Sequence, residues 1–507
     1  MSDYLHRELQ SELVVGLVGA VGTENDIVIR LLTERLNGAG YRVITVKISR
    51  EVIPMLVPVG DSGGDNYKRI SDLMDAGNTA REKTGDEGIL ALGAAATINA
   101  NRQKIAREAG NQDSLSAMTK TAIIVDSLKR PEEVELLRLI YQSGFILIGV
   151  HAEESRRKRH LIEDLRISEQ NAEVLIQRDI DEAKVKHGQR VNATFHLADV
   201  FVKSTESLDR LRADVARAVD LWFGNPFSTP TFDEHAMFMA FSAALRSADL
   251  SRQVGAVVTR DSQILATGAN ECPQAGGGLY WPDRMNDSRI GDVIGGRDYT
   301  RPDGDSNRAE QNRIIERIVG EGAERGLNPD TLRDVLQTSG IRDLTEYGRV
   351  VHAEMEALLS CARNGQTTVG ATLYCTTFPC HNCAKHIIAA GVTRVVYVEP
   401  YPKSKTTQFH HDSIQTGSEH DGTKLVWFVP FVGIGPRRFF DLFSMNLGSA
   451  YKLFRKNPET GGRVDWRIES AQLRVQMKPV SYLDLEAQAC TQFGKLAKDG
   501  KNERARN

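Results

Sequence analysis

Two short motifs constrain this chain more than anything else in its 507 residues: His352-Ala353-Glu354 and, one strand-like segment later, Pro379-Cys380-His381-Asn382-Cys383. An imidazole and two thiolates at such spacings can meet at one zinc ion only if both segments start helices that face each other. The flanking pattern predicts this. After His352, residues Ala353, Met355, Ala357, Leu358, Leu359 and Ala362 form an apolar helical stripe, and Gly365 ends it. Residues 371–377 read as a buried strand. Pro379 suits the first turn of a second helix, where its missing N–H costs nothing. Cys380 and Cys383, three apart, share one face of that helix, whose N-terminus favours thiolate over thiol.

Three protein ligands are the count of a catalytic zinc site, which keeps a fourth position for water and lowers its pKa. Glu354 supplies a carboxylate beside the metal. It can take a proton from water, deliver it to a ring nitrogen and pass it to departing ammonia. The residues therefore point to one catalytic Zn2+ and hydrolytic deamination of a small amine-bearing heterocycle. A closed structural zinc site is the competing reading, and it has no use for Glu354. His151-Ala152-Glu153 repeats the tripeptide, but the next cysteine is Cys272 and no P-C-x-x-C follows, so that copy reads as a strand-end coincidence. Cys361 and Cys375 lie in apolar segments and read as packing residues.

Composition narrows the substrate class. Lys and Arg number 64 against 67 Asp and Glu, a net charge of −3, and aromatic residues make up 7%. An RNA or single-stranded DNA deaminase, the alternative reading, calls for a basic channel with stacking aromatics, and neither figure points to one. A small nucleotide is the expected partner. No apolar run reaches membrane-spanning length and Met1-Ser2-Asp3-Tyr4 does not open a leader, so a cytoplasmic location without membrane contact is expected. The sparse cysteines agree with a reducing compartment.

The length calls for two or more domains. In the first half, the strand-like Leu13–Val18 runs into Gly19-Ala20-Val21-Gly22-Thr23-Glu24-Asn25-Asp26 and then a helical pattern. A glycine turn between strand and helix can cradle phosphate, with Gly19, Gly22 and Thr23 as candidate contacts. Aligned on Gly19, however, a Walker A motif places glycine, lysine and Ser/Thr where this chain has Glu24, Asn25 and Asp26. Lys47 is a candidate substitute for the missing lysine. Further strands at 41–48, 121–125 and 145–150, with helical patterns between, predict a parallel sheet. Asp126 stands where a Walker B acid would, and Arg156-Arg157-Lys158-Arg159 is similar to a basic phosphate-closing helix. Residues 12–222 thus resemble a P-loop nucleotide kinase with a degenerate Walker A. That resemblance implies a regulatory nucleotide in this domain rather than phosphoryl transfer.

Gly224-Asn225-Pro226-Phe227-Ser228-Thr229-Pro230 reads as a linker. Beyond it come a helix over 234–250, a strand over 254–259, a turn at 260–263 and a strand over 264–267. The segments Ala244–Val258 and Thr267-Gly268-Ala269-Asn270, the zinc motifs and Ala389-Ala390-Gly391-Val392 resemble the deoxycytidylate deaminase family. With the kinase-like front half, the chain is similar to bacterial two-domain anti-phage dCTP/dCMP deaminases. The resemblance implies an α/β chain: a P-loop kinase-like parallel-sheet domain over 1–224, a cytidine-deaminase-like α/β/α domain over 225–450 with an insertion at 271–350, and a C-terminal extension over 451–507. It implies zinc on His352, Cys380 and Cys383, Glu354 as proton shuttle, and Asn270 near the sugar. Arg252 and the loop Tyr401-Pro402-Lys403-Ser404-Lys405 are looser phosphate candidates. It further implies deoxycytidine nucleotides as substrates, a homo-oligomer, and depletion of dCTP in antiviral defence. No segment identifies an inhibitory RNA or protein. The insertion is read as either a lid or an oligomer contact. Lys495–Asn507 is expected to be a frayed tail.

Overall fold

The computed structural model describes residues 12–108, 117–182, 185–205, 207–285, 288–399, 404–417, 422–448, 451–477 and 479–502. The contacts divide the chain into two compact units, 1–234 with 399–401 and 430–507, and 235–398 with 402–429. This differs from the sequence-based boundaries at 224 and 450. Residues 430–507 return to the first unit because a two-residue strand, Gly433–Ile434, pairs antiparallel with its sheet.

The first unit is built on β1 (Leu13–Gly19), α1 (Asn25–Gly38), β2 (Arg42–Lys47), α2 (Ile89–Glu108), β3 (Thr121–Asp126), β4 (Phe145–His151), α3 (Glu154–Arg159), β5 (Val200–Lys203) and α4 (Leu208–Trp222). Strands β1 to β5 are all parallel in the order β2-β3-β1-β4-β5. β1 is fully buried along its length, as its continuous apolar run requires of a strand covered on both faces. Its two neighbours are β3 and β4: the chain runs from β1 to β2 and back to β3 on one side, then crosses to β4 on the other. The turn after β1 therefore lies at the switch point of the sheet, where open α/β sheets form a crevice.

The C-terminal helix Pro479–Asn502 belongs to this unit, so Lys495–Asn502 are helical rather than a frayed tail, and 503–507 lie outside the described residues. Its Tyr482, Ala489 and Phe493 are buried, and its buried Glu486 shares Arg102 of α2 with the buried Glu12. Apolar burial and a paired charge hold the helix down where charge pattern alone suggested solvent.

The second unit carries all but the first three residues of α5 (Phe232–Ala244), then β6 (Gly255–Arg260), β7 (Gln263–Ala269), α6 (Ala353–Arg363), β8 (Thr372–Cys375), α7 (His381–Ala389), β9 (Arg394–Tyr397), α8 (Ser404–Phe409), β10 (Ile414–Thr416) and all but the last residue of β11 (Val426–Pro430). Its sheet runs β10-β11-β9-β8-β6-β7, with β6 antiparallel to both β7 and β8, and β8 parallel to β9. The β6–β7 hairpin turns through Asp261 and Ser262, both at positive φ (51° and 58°), the two-residue turn whose twist matches the strands. Helix α5 ends at Ala244, short of the expected 250, because Leu245, Arg246 and Ser247 hydrogen-bond back in turns.

Two glycines set how closely the helices approach this sheet. A Cβ on Gly255 would meet the backbone of Ala240 and Ala244 in α5, and one on Gly268 would meet that of Ala353 and Ala357 in α6. The first turn of α6 thus lies directly on β7, and its N-terminus is fixed over the strand end.

Candidate metal centre and its surroundings

His352 is the N-cap of α6 and Cys380 the N-cap of α7, so each helix begins at its own candidate ligand. Pro379 lies one residue outside the second helix rather than in its first turn. Cys380 is extended (φ −71°, ψ 166°) and takes the cap, which shifts the helix start two residues past the proline. Cys383 follows in the first turn, almost fully buried.

The Nδ1 of His352 lies 3.5 Å from Cys380 Sγ and 3.3 Å from Cys383 Sγ. Zn–S bonds of about 2.3 Å and Zn–N bonds of about 2.0 Å at tetrahedral angles put ligand atoms about 3.5 Å apart. All three ligand atoms lie within 4.8 Å of one another. The donor set therefore fits zinc in chemistry and in spacing.

The protonation pattern fits too. A hydrogen bond from Cys383, reinforced by His352, pulls the Cys380 thiol down to about 3, although burial opposes it. The same bond pushes the Cys383 thiol strongly upward, with burial and the charge of Glu354 adding to it. A dication at that place would favour the thiolate form of both sulfurs. His352 is raised, mainly by its bond to Cys380, with Glu354 adding and Arg252 opposing. Glu354 is 3% exposed and lies in the first turn of α6, so the charge that acts on both ligands is a buried carboxylate with little water to screen it.

The other expected contacts divide. Asn270, 6% exposed, is committed to architecture: its Oδ1 accepts from Val254 N–H at 2.7 Å and its Nδ2 donates to the Arg252 carbonyl at 2.8 Å. Thr376 adds a second brace, its hydroxyl accepting from Gly255 N–H at 3.1 Å. Together they hold the strand entry that carries Arg252. The Arg252 side chain is exposed, and its charge reaches His352. Tyr401, Pro402 and Lys403 lie outside the described residues. Cys361 and Cys375 are fully buried in the apolar core, as expected of packing residues.

The root of the insertion was not legible in the sequence. Glu271 N–H donates to the Val351 carbonyl at 3.2 Å and Val351 N–H to the Glu271 carbonyl at 3.0 Å. Asn270 and His352 are the next residues along, so both ends of the 271–350 segment are pinned together beside the candidate metal centre. The buried Glu271 carboxylate accepts from Ala248 N–H and Cys272 N–H, each at 2.9 Å, and pairs with Arg297 at 3.3 Å. A lone acid in the run Gly268–Pro273 was the available signal.

In the first unit, much of the turn after β1 is already hydrogen-bonded within the fold. Val21 N–H donates to Asp179 Oδ2 at 2.8 Å, Thr23 N–H to the Ala20 carbonyl, and Asn25 N–H to the Thr23 carbonyl. Gly22 has φ +83°, and a Cβ there would stand 2.8 Å from the Arg157 carbonyl of α3, so that helix fills the space over the turn. The Gly19 carbonyl accepts from Lys129 Nζ at 2.7 Å. Asp126 accepts from Asn25 Nδ2 at 3.0 Å. Lys47 pairs with Asp26 at 2.6 Å and Arg156 with Glu24 at 2.5 Å. The Thr23 hydroxyl is buried with no partner among the described residues. Lys47 and Arg156 thus face the turn's own carboxylates.

A family model, "Cytidine and deoxycytidylate deaminase zinc-binding region", matches residues 230–399. The deoxycytidylate deaminase of Enterobacteria phage T4 is 32% identical over 169 residues, 33% of this chain and 77% of the phage protein. That of Mycobacterium phage D29 is 32% identical over 171 residues, 34% of this chain and 96% of the relative. The chain belongs to the deoxycytidylate deaminase family. The yeast deoxycytidylate deaminase is 27% identical over 176 residues, covering 40% of that protein. The matched region of this family member contains all three candidate ligands and both roots of the insertion. No helix among the described residues is long and apolar enough to cross a membrane.

Proposed function

We propose that this protein is a zinc-dependent deaminase of deoxycytidine nucleotides, converting dCMP, dCTP or both to the deoxyuridine nucleotides with release of ammonia. The observation that carries the reading is the tetrahedral-edge spacing of His352, Cys380 and Cys383 beside the buried Glu354. His352, Cys380 and Cys383 would hold the zinc, which would lower the pKa of the attacking water. Glu354 removes a proton from the attacking water, protonates the pyrimidine ring nitrogen and then passes a proton to the leaving amine. Arg252, whose exposed charge acts on His352, would meet the substrate's phosphate. The water's oxygen becomes the new carbonyl; one of its hydrogens ends on the ring nitrogen and the other leaves on the amine, as NH3.

The first unit acts as a nucleotide-sensing or scaffolding domain of P-loop kinase-like descent. Its parallel sheet with a switch point at β1 supports the descent. The absent lysine, and the carboxylates matched to Lys47 and Arg156, argue against phosphoryl transfer. Draining deoxycytidine nucleotides during viral infection is the role that follows from the resemblance in both halves.

Ammonia release from purified protein, measured separately with dCMP, dCTP and cytidine-containing oligonucleotides, tests the reading. Turnover of a free nucleotide supports it. Turnover of the polymer alone replaces it with an RNA or single-stranded DNA deaminase.

A further inference from the structure

The loop that presents Cys380 is braced from outside by a helix that contributes no candidate ligand. Thr406, in α8, is 0% exposed, and its hydroxyl donates to the Pro379 carbonyl at 2.9 Å. Pro379 stands immediately before the N-cap Cys380, so its carbonyl falls outside the intrahelical ladder of α7 and needs a partner from elsewhere. The same segment reaches the first residue of α7 twice more. The Phe409 ring meets His381 edge-on, centroids 5.8 Å apart, and His410 Nε2 approaches the His381 carbonyl at 3.4 Å. Those two contacts are partly exposed. The Thr406 bond is the buried one, and it acts one peptide away from a candidate ligand.

The geometry points to Thr406 as a positioning residue for the metal centre. By holding the Pro379 carbonyl it fixes the extended backbone of Cys380 and aims Sγ at His352. A ligand thiolate on a loose N-cap can swing by rotation of the preceding peptide. Tied at that peptide it is set at the ligand spacing before metal arrives. Groups that orient ligands in this way are worth about ten- to a hundredfold in metal affinity. The inference rests on the zinc reading above.

The test compares Thr406→Val, which keeps shape and removes the donor, with Thr406→Ser, which keeps the donor. Zinc affinity is read by chelator competition, ligand geometry by the thiolate-to-cobalt absorption of the Co(II)-substituted protein, and folding by melting of the metal-free chain. The valine variant should bind zinc about ten- to a hundredfold more weakly with altered cobalt bands, and the serine variant should stay within about threefold of the parent. If the valine variant does not fold, Thr406→Ala and Thr406→Ser, which differ by the hydroxyl alone, read the same quantity. Equal affinity with and without the hydroxyl overturns the positioning role while leaving the zinc reading intact. Equal loss in the serine and valine variants overturns it as well. A folded parent protein that takes up no zinc overturns the zinc reading, and this inference with it.

Discussion

Adding a single methyl group at Gly268 should disable the enzyme without touching a functional side chain. A Cβ there would lie 2.5 Å from Ala357 N and closer still to the Ala353 carbonyl, where ordinary contact starts at 3.4 Å. Both partners are backbone of α6, so no side chain can rotate away and the helix must retreat by about 1 Å. The start of that helix carries His352 and Glu354. Overpacking of this kind costs about 1–3 kcal/mol, and a 1 Å displacement of reacting groups can cost about a hundredfold in rate. Gly268→Ala should therefore lower kcat for a deoxycytidine nucleotide by about two orders of magnitude while the chain still folds, with Tm several degrees lower. Gly320→Ala is the control. It lies mid-helix in Ser306–Glu324 with nothing within 4 Å of its Cβ, and should be neutral or stabilising by up to about 1 kcal/mol. A Gly268→Ala enzyme with parental kcat and Tm would refute the claim that backbone contact seats the metal centre.

Three further outcomes follow. Cys383→Ser should lose stoichiometric zinc, measured by elemental analysis, because a serine hydroxyl replaces a soft thiolate ligand; retention of one zinc per chain would show that the sulfur is not a ligand. Burial, then Lys203 and Arg157, lower the His151 imidazole from 6.5 to about 3, so as pH falls the unfolded chain binds that proton first. Its stabilisation is complete above 6.5 and drains away between 6.5 and 3, by about 2 kcal/mol at pH 5, and His151→Gln should flatten that part of a urea-midpoint profile. Glu486→Ala removes one of two carboxylates on buried Arg102 and the acceptor of Tyr141, and should destabilise the first unit by about 3 kcal/mol in chemical denaturation; a change under about 0.5 kcal/mol would mean the C-terminal helix is not held by that network.

What the sequence made legible was local and dense in signal. The candidate ligand types, the two helix starts and the Asp261-Ser262 hairpin each depend on a few adjacent residues. Strand β1 announced itself as an unbroken apolar run. What escaped depended on pairing across long separations. A two-residue strand at Gly433–Ile434 has no periodicity to detect, yet it returns the final segment of the chain to the first unit. The Glu271–Val351 clasp is one residue pair whose partners lie 80 positions apart, and Thr406 is an ordinary threonine until its carbonyl partner is seen. The turn after β1 was legible in composition and not in orientation. That Asn25 would face Asp126, and that α3 would close over Gly22, are properties of packing.

The central claim is that one zinc and one proton-carrying acid act together on a deoxycytidine nucleotide. Measuring zinc content and ammonia release side by side for the parent and Glu354→Gln tests it most directly. One zinc per chain in both proteins, with turnover lowered about a hundredfold or more in the variant, is the predicted result. A folded, zinc-free parent, or a Glu354→Gln enzyme with full turnover, would contradict it.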